Sequence, residues 1–197
     1  MRALRKTVAF AIAGMLPLLA CSRPDSTPGR AASPAYAGAE AVSIARITFD
    51  DGDTFYVDGN PIRVLGIDTP EIRHPSVGIL TDQPYGRAAA ESTRVLIERS
   101  HGVEIAAGGF DRYHRRLAHV FVDGELLAVR LLEMGLAYET VSHYGDNGFP
   151  DLADRVLRAS AAGPRPVFEE PYRWRRENQR REPRDAGDGV PVPAPGS

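Results

Sequence analysis

The sequence of 197 residues contains a single cysteine, Cys21, which excludes an intramolecular disulfide bond. Its formal net charge is only −2, so no chain-wide basic field marks it as a protein that binds polyanions. Basic residues are instead clustered locally, at 112–116 and at 173–184. An anion-binding surface would therefore have to come from such local patches.

The sequence also lacks an apolar run long enough to span a bilayer comfortably. A short basic segment precedes an apolar run over 7–19, which leads into Leu-Leu-Ala-Cys at 18–21. This arrangement predicts a signal peptide, residues 1–21, and resembles the bacterial lipobox, in which the cysteine is lipidated and becomes the mature N-terminus. The alternative is a plain signal peptide with an incidental cysteine. Because Ser22 is not the Asp that favours inner-membrane retention, we expect an exported lipoprotein at the outer membrane or facing the periplasm.

The rest of the chain divides into three parts by composition. Residues 22–41 are rich in Pro, Ser, Gly and Ala and predict a disordered tether. Residues 42–174 alternate strand and helix patterns and predict one globular domain with a core. The aromatic residues within 164–174 are expected to pack back on this domain. Residues 175–197 mix Arg, Glu and Pro and predict a disordered tail.

The order of the predicted elements indicates a small barrel. β-Branched and aromatic composition predicts strands at 42–49, 54–57, 61–67, 103–107 and 114–122. Helical periodicity predicts helices at 85–100, 125–134 and 151–161. Three strands, a helix, two strands and further helices is the order of an OB-fold. We therefore expect an α+β, mainly β fold with a five-stranded OB-fold barrel and about three helices.

Acidic residues are concentrated in the stretch 50–71, at the ends of predicted strands. Asp53 and Asp68 belong to neighbouring strands, and two nearby carboxylates repel unless a cation or proton lies between them. The stretch contains no cysteine or histidine, and oxygen ligands alone favour Ca²⁺ or Mg²⁺ over Zn²⁺. Solvated turn acids, or a surface ion pair between Arg63 and Asp68, are the alternatives.

Two arginines add the chemistry of anion binding to this stretch. Arg63 lies on the strand between the acids, and Arg115 follows a later polar turn. A guanidinium binds two phosphate oxygens at once and keeps its charge at any working pH. A metal, two arginines and a carboxylate beside a water molecule suit phosphodiester hydrolysis. Composition alone does not distinguish this arrangement from solvated surface residues.

Three blocks of the sequence together resemble the signature blocks of the staphylococcal nuclease family. They are Asp-Gly-Asp-Thr at 51–54, Arg-Val-Leu-Gly-Ile-Asp-Thr-Pro-Glu at 63–71 and Asp-Arg-Tyr-His-Arg-Arg-Leu-Ala at 111–118. Each block alone is weak, but together they are specific. The resemblance implies an OB-fold nuclease, a monomer, that requires Ca²⁺ and hydrolyses DNA and RNA, with single-stranded or frayed substrates favoured.

The resemblance also implies how the acidic residues are used. Asp53 and Asp68 match the carboxylates that bind calcium, and Thr69 matches a residue whose main-chain carbonyl is a further ligand. Glu71 matches the carboxylate that orients or deprotonates the attacking water.

The basic residues have implied roles at the phosphate. Arg63 and Arg115 match the two arginines that bind it and stabilise the transition state. Arg112 and Tyr113 fall where the family contacts further phosphates of the substrate. A catalytically silent OB-fold lipoprotein that only binds nucleic acid is the alternative function.

Two departures from the family pattern bear on the site. His114 occupies the position of the family's glycine, and because Arg116 follows Arg115, a slip of one residue would exchange the two arginines between strand faces. We expect Arg115 to face the site, because its spacing from Asp111 fits. The tyrosines that stack on the base have no clean match, since Val141 and His143 fall near their positions.

The lipobox interpretation predicts that the wild-type protein incorporates radiolabelled palmitate in a bacterial host and that Cys21→Ala abolishes the labelling. Processing of the wild type should also be blocked by globomycin, which inhibits lipoprotein signal peptidase. An unlabelled wild-type protein would contradict the interpretation.

Overall fold

A curled mixed β-sheet and five helices make up the computed structural model, which describes residues 35–179. The strands are β1 (Glu40–Val42), β2 (Ile47–Phe49), β3 (Thr54–Val57), β4 (Asn60–Val64), β5 (Ile67–Asp68), β6 (Val103–Phe110), β7 (Arg116–Val122), β8 (Glu125–Leu126) and β9 (Tyr138–Glu139). The helices are α1 (Gly86–Glu98), α2 (Leu127–Glu133), α3 (Val141–Tyr144), α4 (Pro150–Ala162) and α5 (Pro171–Asn178).

The sheet curls because the predicted first strand is divided in two. A turn of 3₁₀ helix at Ile44–Arg46 separates β1, which pairs with β6, from β2, which pairs with β3. The main sheet runs β1-β6-β7-β4-β3-β2, so two adjacent segments of the chain lie at its opposite ends. β4 and β7 are parallel, whereas the other pairs are antiparallel. The predicted α+β, mainly β, OB-like fold is confirmed.

The core lies between the concave face of the sheet and the helices. α2 buries Leu127, Leu131 and the residues beside them on one face, at the spacing of an amphipathic helix. These side chains meet the buried residues of β7, such as Val120. The predicted long helices correspond to α1, α2 and α4, whereas the pattern of the sequence indicated neither α3 nor α5.

Both ends of the domain differ from the predicted boundaries. Tyr36, in the predicted tether, stacks on Phe121 with a centroid distance of 6.2 Å. At the other end, α5 continues to Asn178, past the predicted start of the tail at residue 175. These contacts are with residues distant in sequence, which composition does not reveal.

The predicted signal peptide with Cys21, the tether up to residue 34 and the tail from residue 180 lie outside the described residues. No helix within residues 35–179 combines the length and apolar character needed to cross a membrane.

His119 is a titratable residue inside the core, on β7. It is 2% exposed, its ring meets Phe149 edge-on at 5.1 Å, and its Nδ1 has no hydrogen-bond partner among residues 35–179. Burial lowers the pKa of His119 to about 4, and the positive charge of Arg155 contributes to the same shift. The neutral imidazole is therefore the form that the folded domain accepts.

The buried histidine predicts a loss of stability in mild acid. The unfolded state binds a proton near pH 6.5 and the folded state only near pH 4, so stability falls as the pH drops through this window. Between pH 7 and pH 4.5, wild type should lose roughly 2–3 kcal/mol more unfolding free energy than His119→Gln, measured by urea denaturation. Parallel pH profiles for the two proteins would contradict this prediction.

Candidate active site

Arg63 links the two predicted carboxylates of the site. The pairing of β3 with β4 sets Thr54 opposite Arg63, which places the preceding Asp53 beside the guanidinium. Nη1 of Arg63 donates to Asp53 Oδ1, and Nη2 donates to Asp68 Oδ1 at 2.7 Å. One side chain thus joins the start of β3 to β5.

The two aspartates are deeply buried, at 1% and 6% exposure for Asp53 and Asp68. Burial alone raises the pKa of Asp68, but the positive charges of Arg63 and Arg175 outweigh it and hold the pKa below its usual value. Asp68 is therefore an anion in the folded protein at neutral pH.

Thr69 completes a small group of oxygen atoms. Its backbone N–H donates to Asp53 Oδ2 at 2.7 Å, and its buried Oγ1 has no hydrogen-bond partner in the part of the chain that the structure describes. Within residues 35–179 no three acidic, histidine or cysteine side chains form a cluster of the kind that holds a metal by itself. The predicted ligand set needs only two carboxylates together with the main-chain carbonyl of Thr69. The two adjacent, buried carboxylates are hard oxygen donors of the kind that Ca²⁺ prefers.

Asp51 shapes the turn that leads into β3. Its Oδ1 accepts hydrogen bonds from the backbone N–H of Asp53 at 3.0 Å and of Thr54 at 2.7 Å. Burial raises the pKa of Asp51, although Arg63 opposes the shift. Asp51 therefore acts on the site through the backbone, as a turn residue.

The backbone of Glu71 is held from two sides. Its N–H donates to Oε1 of Gln83 at 3.1 Å, and its carbonyl accepts the N–H of Gln83 at 2.8 Å. Gly86, the first residue of α1, lies so close that a Cβ on it would fall 2.1 Å from the Glu71 carbonyl oxygen. The side chain forms an ion pair with Arg175. Burial raises the pKa of Glu71, and Arg175 opposes part of this shift.

The turn before β7 directs Arg115 into the same cleft. The Asp111 carboxylate accepts hydrogen bonds from the backbone N–H of Tyr113 at 2.8 Å and from Nε of Arg115 at 2.8 Å. His114 has a φ of 63°, in the left-handed region, which explains why a glycine suits this position in the family. Arg115 lines the cleft, whereas Arg116 pairs with Glu40 at 3.6 Å.

The cleft around these residues has a volume of about 1010 Å³. Tyr113 stands exposed at its rim, with the guanidinium carbon of Arg112 4.7 Å from its ring centroid. The exposed Tyr144 also lines the cleft, while the hydroxyl of Tyr138 donates to the carbonyl of Phe168 at 2.8 Å. The rim therefore offers aromatic faces and positive charge to a long anionic ligand.

Sequence reasoning missed two residues of the site, Gln83 and Arg175. Gln83 is 1% exposed and joins the Glu71 backbone to the carbonyl of Glu169 at 2.6 Å. Arg175 donates to both Asp68 and Glu71. A partial signal was present, because Pro171 is a favoured first residue of a helix and Trp174 is a large apolar residue in a polar segment.

Comparisons with known proteins agree with this geometry. The family model described as staphylococcal nuclease homologue matches residues 61–160. The chain is 33% identical to the thermonuclease of Staphylococcus hyicus over 118 residues, which cover 57% of this chain and 67% of that protein. It is 36% identical to the thermonuclease of Staphylococcus intermedius over 92 residues, 44% of this chain and 53% of that protein. It is 35% identical to endonuclease YncB of Bacillus subtilis (strain 168) over 117 residues, 52% of this chain and 54% of that protein.

The contact at Gly86 predicts that Gly86→Ala destabilises the domain. The added methyl group would overlap the Glu71 backbone, which is fixed by Gln83, so either α1 or Glu71 has to move. We expect a loss of roughly 1–3 kcal/mol in unfolding free energy, measured by urea denaturation. Gly102→Ala is the matched control, because its added Cβ would meet no atom within 4 Å. Equal effects of the two substitutions would contradict the interpretation.

Proposed function

Because the chain belongs to the staphylococcal nuclease family, we propose that its cleft hydrolyses the phosphodiester bonds of DNA and RNA in a calcium-dependent reaction. Its enzyme class is that of a hydrolase acting on nucleic-acid ester bonds. The observation that carries the finer proposal is the convergence of Asp68, Arg63, Glu71 and Arg115 on one cleft, with Asp53 bound to Arg63 directly behind it. These residues come from separate strands and turns, and the fold brings them together.

Asp53 and Asp68 are the carboxylates that would hold Ca²⁺, together with Thr69. They are buried, adjacent and bound to a common cation, Arg63, and this arrangement supports the proposal that a positive charge can lie between them. When bound, Ca²⁺ would supply positive charge to a phosphate oxygen of the substrate.

Arg63 and Arg115 supply fixed positive charge on either side of the phosphate. Both guanidinium groups are already oriented, Arg63 by Asp53 and Asp68, and Arg115 by Asp111. Negative charge on the phosphate oxygens grows in the five-coordinate transition state, and oriented charges stabilise it without reorganisation. Since an arginine does not lose its proton at working pH, its contribution is electrostatic.

Glu71 is the base of the proposed reaction. Its carboxylate lines the cleft beside Asp68, and its backbone is held rigidly by Gln83. A carboxylate held in this way accepts a hydrogen bond from a water molecule and aligns it for in-line attack on the phosphorus, with the 5′ oxygen as the leaving group. Burial raises the pKa of Glu71 toward the working pH, which makes it a better proton acceptor.

The rim favours single-stranded or frayed nucleic acid as the substrate. Tyr113 and Tyr144 expose aromatic faces on which bases stack, and Arg112 adds a positive charge next to Tyr113. Stacking on aromatic side chains requires bases that are free of a duplex. We also propose that Cys21 anchors the enzyme at the cell envelope, because the segment 1–21 has the features of a lipoprotein signal peptide.

A plasmid-nicking assay with purified protein tests the proposed function. Wild type should nick plasmid DNA in Ca²⁺ and lose this activity in EDTA. Glu71→Gln and Arg115→Ala should each lower the rate by about 10²-fold or more, because each removes a group oriented toward the reacting phosphate.

The matched controls are Glu91→Gln, an exposed acid on α1, and Arg116→Ala, the neighbour of Arg115 that pairs with Glu40. Both should keep the wild-type rate. Activity that survives EDTA, or a wild-type rate in Glu71→Gln, would rule the proposal out. Binding of DNA without any turnover in Ca²⁺ would identify a silent nucleic-acid-binding module instead.

A further inference from the structure

α5 forms one wall of the active-site cleft. Tyr172, Arg175 and Arg176 on this helix all line the cleft. The helix lies beyond residue 160, where the match to the family model ends, and the family resemblance assigns it no role.

Contacts at both ends hold α5 in place. Before the helix, the carbonyl of Phe168 accepts the Tyr138 hydroxyl at 2.8 Å, and the carbonyl of Glu169 accepts Nε2 of Gln83 at 2.6 Å. After it, Nε2 of Gln179 donates to the carbonyl of Val77 at 2.7 Å. The buried Trp174 anchors the middle of the helix. α5 is therefore a docked element whose side chains have defined positions.

Arg175 is the side chain of α5 that reaches the acidic residues. Its Nη2 donates to Asp68 Oδ2 at 2.8 Å, and its Nη1 donates to Asp68 Oδ1 at 3.1 Å and to Glu71 Oε1. Asp68 also pairs with Arg63 at 2.7 Å. Within residues 35–179, however, Glu71 has no ion-pair partner other than Arg175. Removal of the Arg175 side chain would therefore mainly affect Glu71, which would lose its ion pair, whereas Asp68 would keep Arg63.

Gln83 strengthens the link between Glu71 and α5. Its side-chain amide accepts a hydrogen bond from the Glu71 N–H and donates one to the carbonyl of Glu169, two residues before the helix. Glu71 is thus tied to the α5 segment twice, through its backbone by Gln83 and through its carboxylate by Arg175. The position of the helix determines the position of the carboxylate.

Tyr172 and Arg176 offer a different kind of surface on the same wall. Tyr172 is 52% exposed, and the guanidinium carbon of Arg176 lies 5.8 Å from its ring centroid. Within residues 35–179, Arg176 forms no ion pair with Asp53, Asp68 or Glu71. An exposed aromatic ring beside a guanidinium suits a nucleic-acid strand, because bases stack on the ring and phosphates bind the cation.

We propose that α5 is a working part of the active site. Arg175 is a positioning residue that holds the Glu71 carboxylate, and Tyr172 with Arg176 forms a contact surface for the nucleic-acid strand. This inference rests on the proposed function, because it takes the cleft to be the place where the strand is hydrolysed.

The first experiment is a double-mutant cycle on kcat, with nicking rates measured in Ca²⁺. Arg175→Ala should lower kcat by about 10- to 100-fold with a smaller change in KM, since the base is no longer held in its reactive geometry. The kcat of Arg175→Lys should lie between those of wild type and Arg175→Ala, because one ammonium group does not span both carboxylates. In a Glu71→Gln background, Arg175→Ala should cost less than about threefold, because the group that Arg175 positions has already been removed.

A merely structural role for Arg175 would make the two substitutions act independently, and equal rate factors in both backgrounds would overturn the assignment. A faster Arg175→Ala enzyme would identify Arg175 as a block on the site and would also overturn it. Thermal unfolding of each variant, recorded in parallel, separates a loss of kcat from a loss of folded protein.

The second experiment measures the binding of short fluorescein-labelled single-stranded DNA in EDTA, where cleavage does not interfere. Tyr172→Ala and Arg176→Gln should each weaken binding by about fivefold or more. Arg173→Ala is the matched control, because Arg173 lies on the same helix, pairs with Glu170 at 3.3 Å and does not line the cleft. Unchanged affinity in Tyr172→Ala and Arg176→Gln would overturn the contact surface.

Different results would contradict the proposed function and the role of α5. Absence of cleavage by wild type in Ca²⁺ would contradict the proposed function, and the binding experiment would still decide whether α5 contacts the strand. Cleavage by wild type together with unaffected α5 variants would contradict only the role of the helix.

Discussion

The site depends on one buried contact, in which the guanidinium of Arg63 holds the carboxylates of Asp53 and Asp68. Both acids are almost fully buried, and Asp53, unlike Asp68, has no second guanidinium partner within residues 35–179. Breaking a buried ion pair by removing one partner costs roughly 3–5 kcal/mol. The β3–β4 pairing places Arg63 beside Asp53, and the short strand β5 places Asp68 next to both. The geometry of the two aspartates is therefore a consequence of strand register.

Charge balance explains why the acids can be held so closely. Three carboxylates, those of Asp53, Asp68 and Glu71, contact two guanidinium groups, those of Arg63 and Arg175. The acids outnumber the arginines that bind them by one, and this negative excess is consistent with the proposed binding of a divalent cation. Arg115 is outside this group, because its ion pair is with Asp111, which orients its guanidinium. The cleft thus holds the acidic group and Arg115 in neighbouring regions.

The glutamate side of the site is supported by elements far apart in the chain. Gln83 precedes α1, Gly86 begins it, and Arg175 lies on α5 about a hundred residues beyond Glu71. Each of these contacts restricts a different part of Glu71, namely the backbone N–H, the carbonyl and the carboxylate. The role proposed for Glu71, aligning water for in-line attack, requires such restriction, since misplacement by about 1 Å costs on the order of 10²-fold in rate. The barrel and the helices thus support one side chain jointly.

By itself the sequence determined the strand meander, the long helices and the acidic and basic residues of the three blocks. These features are local: strand composition, turn residues and helical period are visible within a few neighbouring positions. The tertiary structure alone decided the division of the first strand around Ile44–Arg46 and the burial of Asp53 and Asp68. It also decided that Arg115 rather than Arg116 lines the cleft, and that Arg175 lies in the site. The reason is physical: a charged segment such as 175–178 looks solvated until acids distant in sequence compensate its charge, and only the folded chain brings them together.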